Sequence, residues 1–188
     1  MNANRVDLVQ TKPMLWRNGG GLTRELLQWP AGGRPDSWRL RVSVADVEHS
    51  GPFSPYPGID RWIAVLEGAG ATLALPSGAR TITPADEPLT FPGEDQPHCH
   101  LLQGRTRDLN LMVRRGGGLS ARMTQAHAGE SVEGSTRWRA LYAHGAGRIE
   151  IDGVVEPLHS GLLLWSDSQD DSPWRLLEGT RAWWMVIT

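Results

Sequence analysis

Glycine and proline interrupt this chain so often that long helices are disfavoured throughout. The 188 residues include 22 glycines and 13 prolines, and these are distributed along the whole sequence. Turn signals recur roughly every dozen residues, a spacing that suits short strands joined by tight turns. We therefore expect an all-β fold, with two packed sheets or a closed barrel protecting the strand edges.

The charge balance argues against two large classes of partner. Lysine and arginine number 19 against 21 acidic residues, which gives a net charge of −2. We therefore expect no binding to nucleic acid or to an anionic membrane. Because Lys12 is the one lysine, nearly all positive charge is guanidinium, which binds carboxylates bidentately. A GC-rich genome would produce the same bias.

Length and cysteine usage indicate a single cytoplasmic domain covering residues 1–188. Cys99 is the one cysteine, so an internal disulfide is excluded and a reducing compartment is favoured. Neither an apolar run of about 18 residues nor a signal-peptide pattern is visible. Three glycines at residues 116–118 mark possible internal halves, about 1–116 and 119–188.

Two segments alternate between polar and apolar residues, as half-buried strands do. In residues 38–47, Arg41 and Ser43 fall on the polar face, and in residues 107–114, Asp108 and Asn110 do the same. Further strands are predicted at residues 61–66, 71–75, 98–102, 137–143, 148–152, 161–165 and 182–187. The proline-rich residues 49–60 and 84–97 are predicted to be loops.

Polar residues on neighbouring core strands predict a lined cavity. Arg41 and Ser43 share one face, Arg61 opens the next strand, and Asp108 and Asn110 lie on another strand with apolar neighbours. Convergent polar groups among core residues fit a binding pocket better than an outer surface, although a solvent-facing set would look the same in sequence.

The sequence WRNGGGLTRE at residues 16–25 could bind an anion through the backbone N–H groups of its glycines. It lacks the lysine and the spacing of a nucleotide-binding loop. A purely structural role is the alternative, because glycine triplets are often simple turns.

The histidines at 98 and 100 share a strand face and are the obvious candidates for metal ligands. A metal-binding barrel with this spacing usually adds a glutamate four or five residues later, where Gly104 and Arg105 stand here. We therefore predict no metal site and no cofactor. Cys99 is expected to be a buried structural thiol rather than a nucleophile.

Four ordered blocks resemble the HutD/Ves family of small cupin-fold proteins linked to histidine utilisation. They are WRNGGGLTRE at residues 16–25, WRLRVSVADV at 38–47, GPFSPYPGIDR at 51–61 and RDLNLMVRRGG at 107–117. The resemblance implies a cupin-type β barrel, bicupin-like with two β halves, whose pocket lacks the usual cupin metal ligands. It also implies binding of a histidine-degradation intermediate such as N-formylglutamate, and moderation of that pathway.

The motif positions of the family place seven residues as ligand-binding candidates. They are Asn18, Thr23, Arg41, Ser43, Arg61, Asp108 and Asn110. As a hypothesis, the two arginines neutralise two ligand carboxylates, the amide and hydroxyl side chains hold an amide or formyl group, and Asp108 orients an arginine.

Two other functions remain open from the sequence. A metal-independent cupin enzyme (an isomerase, epimerase or hydrolase) would use Asp108 or a pocket histidine as general base. An interaction module would expose an apolar patch to a protein partner. A homodimer is possible under any of these hypotheses.

Overall fold

The computed structural model describes residues 3–30, 37–116, 118–132, 136–168, 172–179 and 181–188. Within these ranges the chain forms strands, turns and two short 3-10 helices, Leu8–Gln10 and Gly93–Asp95. The all-β prediction is therefore confirmed. The search for membrane spans, made on the same residues, finds no helix with the length and apolarity to cross a bilayer.

Eleven strands cover the first part of the described chain. They are β1 (Asn4–Asp7), β2 (Pro13–Leu15), β3 (Gly21–Trp29), β4 (Leu40–Val47), β5 (Gly51–Pro52), β6 (Ile59–Glu67), β7 (Ala71–Leu75), β8 (Gly78–Ile82), β9 (Leu89–Pro92), β10 (His98–Leu101) and β11 (Thr106–Arg114).

Eight strands follow the glycine-rich break. They are β12 (Ala121–Ala126), β13 (Ser131–Val132), β14 (Trp138–Ala143), β15 (Gly147–Ile151), β16 (Val154–Leu158), β17 (Leu162–Ser166), β18 (Trp174–Gly179) and β19 (Ala182–Ile187). Contacts between Cα atoms divide the chain into two units, residues 11–116 and residues 1–10 with 117–188. The single-domain interpretation stays a prediction.

The unit of residues 11–116 consists of two antiparallel sheets. Six strands follow the order β2-β3-β4-β11-β6-β9, and four follow the order β5-β10-β7-β8. A buried cluster joins apolar side chains from both sheets and from the loop after β5, including Phe53, Ile63, Leu73 and Phe91. Burial of this cluster provides the hydrophobic stabilisation of the unit.

The unit of residues 1–10 and 117–188 also has two sheets. Their strand orders are β1-β17-β14-β19-β12 and β13-β18-β15-β16. Its core combines branched aliphatic residues with large aromatic ones, among them Leu141, Ile149, Trp174 and Trp184. The strands predicted at residues 137–143, 148–152, 161–165 and 182–187 lie here as β14, β15, β17 and β19.

The prediction that residues 84–97 form a loop was wrong in part. β9 occupies Leu89–Pro92 and pairs with β6, which brings Phe91 opposite Arg61. Pro88, just before the strand, and Pro92, at its end, obscured it, because proline cannot donate to a sheet ladder. At the edge of a sheet, however, one side of a strand makes no ladder bonds, so proline is tolerated there. β9 is such an edge strand.

Candidate functional site

A cavity of about 450 Å³ opens within the unit of residues 11–116. Its walls come from β2, β3, β4, β6 and β11, from the segment around Trp16, and from the loop that follows β5. All seven residues predicted from the sequence line this one cavity. The structure therefore brings the predicted set together, and its role in ligand binding stays a prediction.

Strand register arranges the polar lining residues in successive rows. Arg41, Met112 and Arg61 are paired across β4, β11 and β6 and form one row. Two residues further along β11, Asn110 pairs with Ser43 and Ile63.

Asp108 pairs with Ala45 and Val65 in the next row, and Ala45 also pairs with Thr23 on β3. Four residues of a strand span about 13 Å. The two arginines and Asp108 therefore approach the cavity from rows about that far apart.

Arg61 lies among three aromatic rings. Its guanidinium carbon is 5.1 Å from the ring centre of Phe53, 5.6 Å from that of Tyr56 and 5.1 Å from that of Phe91. The faces of aromatic rings attract cations electrostatically at such distances. The rings therefore fix the guanidinium in place while offering it no hydrogen-bond acceptor of carboxylate strength.

The charge of Arg61 is poorly compensated for a buried group. The residue is 6% exposed, and its Nη2 donates to Asn110 Oδ1 at 3.3 Å. The Nε and Nη1 atoms are buried and have no hydrogen-bond acceptor among the described residues. Burial, with a smaller contribution from the charge of Arg41, lowers the pKa of Arg61 to about 10, so the side chain stays cationic at neutral pH.

Arg41 differs from Arg61 because it has an acidic partner. Its Nε donates to Glu25 Oε2 at 2.7 Å, and Gln28 Nε2 donates to the same oxygen at 3.0 Å. Glu25 therefore neutralises much of the Arg41 charge. The expectation that both arginines wait for a ligand carboxylate holds better for Arg61 than for Arg41.

Asp108 does not orient an arginine, contrary to the sequence-based hypothesis. No described arginine lies within salt-bridge distance of it, and its Oδ2 accepts one long bond, 3.4 Å, from the Thr106 hydroxyl. The buried Oδ1 has no donor among the described residues. Burial raises the pKa of Asp108 to about 7, against the Thr106 hydrogen bond and with help from the charge of Asp46.

The glycine-rich loop at the cavity holds itself together by internal bonds. Gly19 N donates to Trp16 O at 3.0 Å, and Gly20 N donates to Asn18 Oδ1 at 3.0 Å. The predicted anion cradle therefore has two of its backbone donors already in use. Trp16 Nε1 donates to Thr23 Oγ1 at 2.8 Å, which anchors the indole beside the cavity, so the structural interpretation of this loop is the better one.

The residues that line the cavity do not suit a divalent cation. Asp108 is the one carboxylate among them, no histidine is present, and three guanidinium groups are, those of Arg17, Arg41 and Arg61. Divalent cations in cupin-like sites need several carboxylate or imidazole ligands, and three nearby positive charges oppose them. In the described ranges, no three His, Cys, Asp or Glu side chains converge into a metal-binding group.

The histidines flanking Cys99 lie away from the cavity. The rings of His98 and His100 are exposed and stack with 4.4 Å between centroids, while Cys99 between them is 1% exposed. Burial, assisted by the charge of Asp108, raises the pKa of the Cys99 thiol to about 12. Cys99 is therefore an inert thiol, as its place in the sequence predicted.

Sequence reasoning missed the aromatic side chains around Arg61. Phe53 and Tyr56 belong to a proline-rich loop without periodicity, and Phe91 to the strand that was predicted as a loop. The spacing of Leu89 and Phe91, two residues apart between prolines, was the available signal for that strand. Glu25 was also missed, because its contact with Arg41 depends on the pairing of β3 with β4.

Curated relatives match about half of this chain. A protein of Pseudomonas putida described as an uncharacterized 21.2 kDa protein in the hutC 3' region is 42% identical over 100 residues, 53% of this chain and 52% of that protein. The protein Ves of Citrobacter koseri is 37% identical over 102 residues, 54% of this chain and 52% of that protein. The chain spans about half the length of these relatives.

Solved structures match the chain over its whole length. A conserved protein of unknown function from Pseudomonas aeruginosa PAO1 has a TM-score of 0.87 at 29% identity, covering 100% of this chain and 98% of that one. HutD from Pseudomonas fluorescens SBW25 has a TM-score of 0.84 at 26% identity, covering 99% and 98%.

A more distant structure identifies the fold. A cupin 2 conserved barrel domain protein from Leptotrichia buccalis has a TM-score of 0.58 at 9% identity and covers 100% of this chain and 96% of that one. Such a likeness concerns the fold alone, and it agrees with the cupin-type arrangement implied by the sequence motifs. Since a sequence model of the HutD family matches residues 8–184, the chain belongs to the HutD family and has a cupin-like, all-β fold.

Proposed function

We propose that this protein binds a small acidic metabolite in the cavity beside Arg61, and that it thereby moderates histidine utilisation. N-formylglutamate is the ligand we expect. The observation that carries the proposal is Arg61 itself, a cation that lines the cavity and has no carboxylate partner among the described residues.

An uncompensated buried cation is costly for a folded protein. Removing a charge from water costs several kcal/mol unless an opposite charge or a full set of hydrogen bonds replaces the lost hydration. Arg61 has one hydrogen bond to a neutral amide and three aromatic rings. A carboxylate in the cavity would supply the missing charge and acceptors. Binding an anion would therefore relieve the desolvation cost of Arg61, and this relief would add to the affinity.

The remaining lining groups suit the polar part of an acidic metabolite. Ser43 and Asn110 lie in the row beside the arginines and are 3% and 5% exposed. Their hydroxyl and amide groups can donate to and accept from an amide or formyl group. A cavity of about 450 Å³ is within the range of small-molecule sites.

The link to histidine utilisation rests on the family. The family model carries the name HutD, a structural neighbour is named HutD, and one relative is described by its position near hutC. These names support a role in this pathway.

Isothermal titration calorimetry with N-formyl-L-glutamate, urocanate, glutamate, histidine and succinate tests the proposal. We expect N-formyl-L-glutamate to bind with one-to-one stoichiometry. At one hundred times its dissociation constant, a ligand adds about 2.7 kcal/mol to stability, so a thermal-shift assay should report the same selectivity.

Arg61→Met should abolish this binding, because it removes the charge and retains much of the volume. Arg61→Lys should restore part of the binding, since it returns the charge without the guanidinium fork. Arg80→Met is the matched control, because Arg80 is exposed on β8 and lies outside the cavity lining. Unchanged affinity in Arg61→Met, or no binding of any acid to the wild-type protein, would refute the proposal.

Asp108 favours a second candidate function, a metal-independent cupin enzyme. A carboxyl whose pKa is raised to about 7 by burial has the proton affinity of a general base that works at neutral pH. Turnover of a bound acid, followed by NMR and lost in Asp108→Asn with binding retained, would establish this function. Stoichiometric binding without product would favour the binding protein.

A further inference from the structure

The cavity carries opposite chemical characters at its two ends. The row containing Arg41 and Arg61 lies four residues along β11 from the row containing Asp108. One end therefore presents hydrogen-bond donors and positive charge, and the other presents an acceptor or an acid. Ser43 and Asn110 lie between them and can act as donors or acceptors.

Asp108 is a buried polar side chain whose capacity to accept hydrogen bonds is largely unused. It is 3% exposed and lines the cavity, its Oδ1 has no donor among the described residues, and its Oδ2 has only the 3.4 Å bond from Thr106. A buried carboxyl left in this state is costly, and a hydrogen-bond donor in the cavity would remove the cost.

The titratable groups around Asp108 do not supply that donor. Cys99, from β10, is a buried thiol, and it makes no hydrogen bond to the unpaired Asp108 Oδ1. Asp46, on β4, is an anion committed to Arg24 at 2.9 Å and Arg107 at 2.6 Å. Burial by itself would raise the pKa of Asp46, but these two arginines hold it below its ordinary value.

Two of the three cations that line the cavity, Arg41 and Arg61, belong to the row about 13 Å along the strand, and the third, Arg17, is exposed on the loop after β2. The Arg61 guanidinium extends from its row to Asn110 Oδ1 at 3.3 Å, so its distance from Asp108 is shorter than the spacing of the rows.

From this arrangement we infer that the cavity selects a bipolar acid, with a carboxylate for Arg61 and an N–H donor for Asp108 at its far end, over a simple diacid. The inference rests on the proposed function and narrows its ligand class. It also revises the hypothesis of two ligand carboxylates, because Glu25 already neutralises Arg41 and a second carboxylate near Asp108 would face a like charge.

A bipolar acid and a diacid change the protonation of Asp108 in opposite directions when they bind. With a pKa of about 7, Asp108 is about half ionised at pH 7 in the free protein. An N–H donor favours the ionised carboxylate, so a bipolar acid releases up to about half a proton on binding. A carboxylate at that end favours the protonated carboxyl, so a diacid takes up about half a proton.

Three acids of matched length provide the probes. They are 5-aminopentanoate, which is bipolar, and two analogues in which a methyl or a carboxyl group replaces the amine, hexanoate and adipate. N-formyl-L-glutamate is titrated beside them. Calorimetry at pH 7 in phosphate and in Tris buffer, which differ in ionisation enthalpy, gives both the affinity and the number of protons exchanged.

We expect 5-aminopentanoate to bind roughly tenfold to a hundredfold more tightly than hexanoate, the effect of one charge-assisted hydrogen bond. We also expect binding to release protons. Asp108→Asn should remove both the preference for 5-aminopentanoate over hexanoate and the proton release. The proton measurement on the wild-type protein decides the matter without any variant.

Two results would overturn the inference in distinguishable ways. If adipate is preferred, or if N-formyl-L-glutamate binds with proton uptake, the bipolar selection is wrong and binding of small acids stands. If none of the four acids binds, the inference fails; if urocanate, glutamate, histidine and succinate also fail to bind, the proposed function fails with it.

Discussion

Replacing Asp108 by asparagine should stabilise the ligand-free protein at high pH and have little effect at low pH. The side chain is 3% exposed, and burial raises its pKa from 3.8 to about 7. Between these two values the folded protein retains a proton that the unfolded chain releases. The free energy of unfolding of the wild-type protein therefore falls as the pH rises through this window, and it levels off above pH 7.

The size of this change in stability follows from the pKa shift of Asp108. Each pKa unit corresponds to 1.36 kcal/mol, so the full shift, about three units, destabilises the ionised wild-type protein by about 4 kcal/mol. Asparagine has the same shape and no charge to bury. The stability difference between Asp108→Asn and wild type should thus grow by about 3 kcal/mol between pH 5 and pH 8.

Urea denaturation followed by tryptophan fluorescence at pH 5, 6, 7 and 8 measures this difference. Asp46→Asn is the matched control, because the pKa of Asp46 is held low by Arg107 and Arg24 despite its burial. Asp46 is ionised in both states over this range, so its own titration adds no pH dependence to the stability that its variant loses. Because the charge of Asp46 makes a smaller contribution to the raised pKa of Asp108, the loss should change only slightly with pH. A flat difference for Asp108→Asn would show that its carboxyl titrates normally, and would remove the basis of the proton linkage described above.

Three further predictions concern packing around the site. Phe91→Ala should cost about 3–5 kcal/mol in urea denaturation, because it opens a cavity in the core and removes a ring from Arg61, whereas Phe91→Leu should cost clearly less. Gly21→Ala should cost about 1–3 kcal/mol in thermal denaturation, because its Cβ would lie 2.2 Å from the Asp46 carbonyl oxygen; Gly51→Ala, with nothing within 4 Å of the new Cβ, should change stability by less than about 0.5 kcal/mol. Cys99, 1% exposed and with a pKa of about 12, should react with Ellman's reagent at pH 8 after denaturation and not before; rapid reaction of the native protein would show that the strand opens.

Much of the site was predictable because strands have a strict period of two. The alternation in residues 38–47 and 107–114 assigned Arg41, Ser43, Asp108 and Asn110 to polar faces within core strands. The cavity lining agrees with that assignment. The WRNGGG motif identified a special loop, but not its role, because the same glycines can present N–H groups to a ligand or use them internally.

The partners of each charged residue were not predictable in this way. Glu25 faces Arg41 because β3 pairs with β4 through a bulge between Glu25 and Leu27, and such irregularities have no clear sequence signature. Asp108 has no arginine partner for a similar reason, since its row in the sheet is two removed from that of Arg61. A register shift of four residues would have placed Asp108 opposite Arg61.

The sequence by itself determined the fold class, the family and the set of polar residues that face one cavity. Local patterns are sufficient for these properties. Successive side chains in a strand point to opposite faces, so an odd or even position decides the face, and the family motifs are stretches of consecutive residues. Only the tertiary structure decided which of the two arginines is neutralised, that three rings surround Arg61, and that the cavity has a donor end and an acid end. These properties depend on strand register and on loops brought together from distant parts of the chain. Register and loop placement set the distances between buried groups, and electrostatic interactions depend on these distances.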